Sequence, residues 1–81
     1  MGKANWRDRI VVDPAIHHGD PCIRGTRVPV SVIVGSIADG DTVADVLAAH
    51  PSLTDEDVRA ALRFAAEAVA RSDFLPLKAA R

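Results

Sequence analysis

The stretch Thr42–Val69, TVADVLAAHPSLTDEDVRAALRFAAEAV, decides the fold. Its pattern predicts a short helix, a break at His50-Pro51-Ser52-Leu53, and then a longer helix. Thr42 and Thr54 are placed as hydroxyl N-caps. Each is followed three residues later by an aspartate, Asp45 and Asp57, which approximates a capping box. The acids in each first turn also suit the positive end of the helix dipole. Pro51 cannot continue the first helix, because it lacks a backbone N–H and its ring clashes with the preceding turn. Two helices joined by a turn of roughly three or four residues describe a helix-turn-helix, although such pairs also occur as inert packing units.

Apolar spacing assigns a buried stripe to each helix. In the first it is Val43, Val46 and Leu47. In the second, read as Thr54–Ser72, it is Val58, Leu62, Ala65 and Val69, with Ala61 and Ala66 at the margins and Arg59, Arg63 and Glu67 on the opposite side. Phe64 falls outside that stripe, beside Ala60. An apolar face widened in this way by alanines lets another helix approach closely.

Upstream, Arg9-Ile-Val-Val12 is a short β-branched run and predicts a strand that Asp13-Pro14 ends. The passage Gly19-Asp-Pro-Cys-Ile-Arg-Gly-Thr-Arg-Val-Pro-Val30 follows. Gly19 and Gly25 are read as supplying backbone angles that a side chain resists, with Pro21 and Arg27 completing a structural loop. Thr26–Val28 is the expected second strand, pairing with residues 10–12. Pro29 suits a helix start, and Val32, Ile33 and Ile37 repeat at helical spacing until Gly40 stops the helix. Residues 1–8 are expected to be poorly held apart from Trp6, which covers a core edge. Past residue 72 the tail is apolar at Phe74, Leu75 and Leu77, and Pro76 interrupts any helix there.

These assignments give a mainly α domain: three helices with a helix-turn-helix, preceded by a short two-stranded β element. At 81 residues it is read as one domain, with a flexible start over 1–8, a folded core over 9–72 and a tail over 73–81. A chain this short buries only about 60% of its unfolded surface, so its core alone is marginal. One cysteine excludes a disulfide within the chain and a cysteine zinc site. A second protomer is the expected further source of stability, with the alanine-lined face around Phe64 as the contact. No apolar run approaches the roughly 20 residues needed to span a bilayer, and the expected location is the cytoplasm.

The net charge of −1 hides an uneven distribution. Residues 1–27 carry +2, residues 28–58 carry −6 with no Lys or Arg, and residues 59–81 carry +3. Cys22 beside His17 and His18 offers too few ligands for zinc and is read as structural. Asp20 and Arg27 have no further polar groups converging on them in sequence, so no catalytic constellation, cofactor or metal is expected.

From Arg9 to Val69, about three quarters of the chain, the sequence resembles the family called domain of unknown function 433. The features run in a fixed order: Asp13-Pro14, Gly19-Asp-Pro21, Ile23-Arg-Gly-Thr-Arg27, Val28-Pro-Val30, Pro51-Ser-Leu-Thr54 and Asp57-Val-Arg-Ala-Ala-Leu62. The resemblance implies a small homeodomain-like helical domain behind a short strand pair. It also implies an antitoxin-like role in a type II toxin–antitoxin module, in which the partner is a PIN-like ribonuclease.

DNA binding is the alternative from a different class. A helix-turn-helix normally sets the N-terminal residues of its second helix against base edges, and here those are Thr54, Asp55, Glu56 and Asp57. Carboxylates so placed would repel phosphates. Contacts to operator DNA would therefore come from Arg59, Arg63, Arg71 and the basic N-terminal region, or these arginines are simply a solvated face. For the protein partner, the candidate anchors are Phe64, Phe74, Leu75 and Leu77, with Arg81 near the tail's end.

Overall fold

The computed structural model describes residues 5–15 and 19–71. A turn of 3-10 helix, Trp6–Arg9, leads into β1 (Ile10–Val11); β2 (Cys22–Ile23), α1 (Val30–Ala38), α2 (Val43–Ala49) and α3 (Asp55–Arg71) follow. The protein is thus a small, mainly helical domain with three helices and a short two-stranded sheet. Order begins before Arg9. The Asn5 side chain accepts from the Arg7 N–H at 2.9 Å and caps the 3-10 turn, so more than Trp6 is held there.

The sheet differs from expectation in its second strand. β1 pairs antiparallel with β2, Ile10 opposite Ile23 and Val11 opposite Cys22, and not with Thr26–Val28. Cys22 and Ile23 are both 1% exposed, so this dipeptide carries core side chains into the sheet. Thr26 instead turns the chain: its hydroxyl donates to the Ile23 carbonyl at 2.7 Å and accepts from the Val28 N–H at 3.0 Å. Gly25, at φ +81°, completes the turn. The returning segment runs along β2 through the Ile23 N–H to Val28 carbonyl bond and the Cys22–Pro29 bridge. The Val30 N–H then donates to the Pro21 carbonyl at 2.9 Å, which fixes the start of α1.

α1 buries Val30 and Ile33 and half-buries Val34 and Ile37, an i, i+3, i+4, i+7 stripe. Val32, expected on that stripe, is exposed. The helix ends in a Schellman motif. The Gly40 N–H bonds the Ile37 carbonyl and the Asp41 N–H bonds the Ser36 carbonyl, both at 3.0 Å, with Gly40 at φ +105°.

Both capping boxes form. At α2 the Asp45 N–H donates to the Thr42 hydroxyl at 3.1 Å while the Thr42 N–H donates to the Asp45 carboxylate at 2.9 Å. At α3 the Asp57 N–H donates to Thr54 at 3.2 Å and the Thr54 N–H to Asp57 at 2.9 Å. Between the helices the Leu53 N–H donates to the His50 carbonyl at 2.9 Å, and the Leu53 side chain drops into the core.

That core is Ile23, Val30, Ile33, Val46, Leu53, Val58 and Ala61, drawn from β2, the three helices and the turn between α2 and α3. Burying side chains of this size contributes about 1.5–3 kcal/mol each, so the domain depends on nearly all of them. α3 supplies its fully buried residues from its first two turns, and Phe64 packs against the core from the third. Farther on it outruns the core, and Val69, expected to be buried, is exposed.

The two boxes should differ in weight. Asp45 is exposed, and its hydrogen bonds from the Thr42 backbone and hydroxyl hold its carboxyl below the ordinary value. Its contribution is therefore present at neutral pH and lost as pH falls through the folded pKa. Asp57 is buried and carries a second partner described below. In urea denaturation, Asp57→Ala should cost about 2–3 kcal/mol and Asp45→Ala clearly less. Equal losses would show that the second partner adds nothing.

Burial, and then the charge of Asp20, push the Cys22 thiol up. Stability from the neutral thiol is fully held at neutral pH and falls away only as pH rises through the raised pKa. Labelling by an aromatic disulfide reagent at neutral pH should track global unfolding across a urea series. Rapid labelling of the folded protein would contradict this burial.

Candidate interaction face on the third helix

Asp57 lies on the core side of α3, next to Val58 and one turn before Ala61. A carboxylate there needs a positive partner. It comes from the other end of the chain: Arg9 Nη1 donates to Asp57 Oδ1 at 2.9 Å, and its Nη2 donates to Glu56 Oε1 at 2.6 Å. The fork of one guanidinium thus spans two adjacent carboxylates. Asp55 is engaged as well, accepting from Arg59 Nε at 2.9 Å. All three acids that open α3 are thus paired, three carboxylates with two arginines, which reduces the repulsion anticipated for an anionic ligand.

Arg9 brings the 3-10 helix onto α3, and Trp6 is where the two meet. Its indole stands edge-on to Phe64, with ring centroids 6.4 Å apart and planes at 77°. The Arg7 guanidinium lies 4.5 Å from the centre of the indole ring. Phe64 is therefore half-buried and partly covered by Trp6, not a bare patch.

Two open grooves share Trp6 as a wall. The larger, about 820 Å³, is lined by Trp6, Arg9, Glu56, Arg59, Ala60, Arg63 and Ala66, among others. Positions 56, 59, 60, 63 and 66 follow one side of α3. The smaller, about 340 Å³, is bounded by Trp6, Ile10, Val12, Phe64, Ala68 and Arg71, with Arg7 and Glu67 at its edge. Val12 is 59% exposed there, a large apolar side chain left in solvent.

The anticipated nucleic-acid residues divide between these grooves: Arg59 and Arg63 in the larger, Arg71 in the smaller. Arg71 lies 3.7 Å from Glu67, which is also 3.9 Å from Arg7. Among the described residues, no ion pair is formed by Arg63. Of the anticipated partner anchors, Phe64 lines the smaller groove; Phe74, Leu75, Leu77 and Arg81 lie outside the described residues, as do His17 and His18. The loop residues hold the strand-to-helix connection, with Gly19 at φ +89°, Gly25 at +81° and the Pro21 carbonyl on Val30; Arg27 is exposed. Among the described residues, no cluster of His, Cys, Asp or Glu is placed to hold a metal, and no helix is long and apolar enough to cross a membrane.

Sequence reasoning missed Val12 and took Arg7 and Arg9 only as part of a basic N-terminal region, without their partners on α3. For Arg9 one signal existed: an aspartate on the apolar side of an amphipathic helix demands a cation. Nothing in the sequence said which cation, because Arg9 is 48 residues away.

The fold is shared with a solved protein. The crystal structure of a DUF433 member protein from Anabaena variabilis superimposes with a TM-score of 0.74 at 31% identity, over 80% of this chain and 64% of that one. The uncharacterized protein y4eO of Sinorhizobium fredii is 42% identical over 59 residues, 73% of this chain. The chain spans only 27% of the length of y4eO, so the relative is a much longer protein. Residues 10–65, from β1 into the third turn of α3, match the family described as "Protein of unknown function (DUF433)", and the chain belongs to that family.

Proposed function

We propose that this protein is an antitoxin-like binding module that neutralises a PIN-like ribonuclease through protein contact and has no catalytic role of its own. One observation carries the proposal. The side of α3 facing the 3-10 helix holds an exposed apolar site, Val12 with Trp6 and Phe64, beside Arg7 and Arg71. Tryptophan and arginine are the residues that most often anchor protein interfaces. A PIN-like nuclease gathers carboxylates around its metal ions, and arginines beside an apolar anchor complement such a rim. The family resemblance supplies the partner class. The working unit in this proposal is a homodimer or larger assembly in the cytoplasm, since 81 residues leave apolar surface such as Val12 and Val69 uncovered.

A DNA-binding repressor is the second possibility, and it can coexist with the first through autoregulation. It takes α2, the turn at 50–54 and α3 as a homeodomain-like helix-turn-helix. The pairing of Glu56 and Asp57 with Arg9, and of Asp55 with Arg59, supports it, because two arginines offset part of the charge of the acidic helix start.

Co-expression with the product of the neighbouring reading frame tests the proposal, which requires that frame to encode a PIN-like ribonuclease. Wild-type protein should restore growth and co-purify with the nuclease. Val12→Glu, at an exposed position that leaves the core intact, should weaken the complex roughly tenfold or more, as loss of an interface anchor does. No rescue by the wild type removes the antitoxin assignment, and full rescue by Val12→Glu moves the contact away from the smaller groove. A gel shift with upstream DNA, with and without the nuclease, separates the two roles.

A further inference from the structure

We propose that the larger groove binds the phosphate backbone of a nucleic acid, and that Glu56 holds on Arg9 the place a phosphate would take. This rests on the DNA-binding possibility and locates its contacts. Three arginines line the groove: Arg59 and Arg63, one helical turn apart on α3, and Arg9 from the 3-10 helix. A planar guanidinium grips a phosphate through two parallel hydrogen bonds. Ala66, exposed on the same side of α3, adds little bulk, so a backbone can approach the helix.

The arginines are committed to different degrees. Arg63 forms no ion pair among the described residues. The Arg59–Asp55 pair is exposed on both sides, 79% and 54%, so solvent screens it and a phosphate can replace it. The two links of Arg9 are unequal. Its Nη1 bond reaches the Asp57 carboxylate, 10% exposed, which also caps α3. Its Nη2 bond reaches Glu56, 71% exposed. Glu56 can therefore swing away while Arg9 stays anchored through Asp57 and the fold is undisturbed. The charge pattern favours a nucleic acid over an acidic protein. A phosphodiester strand carries a charge at every nucleotide and meets three arginines in any register, whereas a peptide offers carboxylates only where its own sequence places them.

Trp6, the single tryptophan of the chain, walls both grooves, so its fluorescence reports a ligand at either, and the substitutions at Glu56 and Arg63 assign it to the larger. Wild type, Glu56→Gln and Arg63→Ala would be titrated with short duplex DNA of arbitrary sequence, polyglutamate and inorganic phosphate. Both positions are exposed, so the variants keep the fold. DNA should change the Trp6 signal and polyglutamate at the same ionic strength should not. Glu56→Gln should bind DNA roughly two- to fivefold tighter at fixed salt, the effect of removing one exposed competitor. Its salt slope should steepen by up to about one, and that of Arg63→Ala should become shallower by about one. DNA binding that neither substitution alters overturns the groove site but leaves DNA binding elsewhere on the surface. No DNA binding by any of the three proteins at low salt overturns both. An equal response to polyglutamate would assign the groove to an acidic protein, and an equal response to inorganic phosphate would reduce it to a simple anion site; either outcome overturns the proposal.

Discussion

The bonds of Asp57 hold the two ends of this fold together. One carboxylate closes the capping box of α3 through the Thr54 backbone and receives Arg9 from the far end of the chain. Neither task could be left undone cheaply. A buried carboxylate without Arg9 would be an uncompensated charge, and Thr54 without Asp57 would leave a helix-start N–H unpaired. Because both are met by the same side chain, the 3-10 helix lies against α3, and Trp6 is carried to Phe64. The grooves on either side of Trp6 are consequences of that placement. The face proposed for binding is thus set by an interaction inside the domain.

Local rules made much of the helical part legible. Thr42 with Asp45 and Thr54 with Asp57 signal two helix starts, because a hydroxyl and a carboxylate three residues apart satisfy each other's backbone donors. Gly40 signals an end for a similar reason. Where prediction erred, the deciding energy was not local. Thr26–Val28 has ordinary strand composition, but Cys22 and Ile23 fill the core and Thr26 satisfies its hydroxyl within the turn. Val32 and Val69 are apolar at helical spacing and still face solvent, since a helix of fixed period meets a core of finite extent.

The candidate site was less legible than the fold. Arg59 and Arg63 could be seen as one face of a helix, yet their setting depends on Arg9 and Trp6, about 50 residues away in sequence. The acidic start of α3 also changes meaning. In sequence it is a run of three carboxylates that should repel phosphate; in space each has an arginine within hydrogen-bond reach. Local charge patterns overstate the repulsion at such a surface when a distant segment supplies counter-charge.

Gly40 holds one further consequence, about handedness. A Cβ added there would meet nothing within 4 Å, so the position has room for a methyl group. The obstacle to an L-residue is the dihedral alone, φ +105°. Mirror-image alanine removes that obstacle, because a positive φ is natural to its own hand. By narrowing the unfolded chain's freedom, it should stabilise the domain where ordinary alanine strains it. At the end of α1 the chain selects for chirality, and side-chain size has no part in the choice.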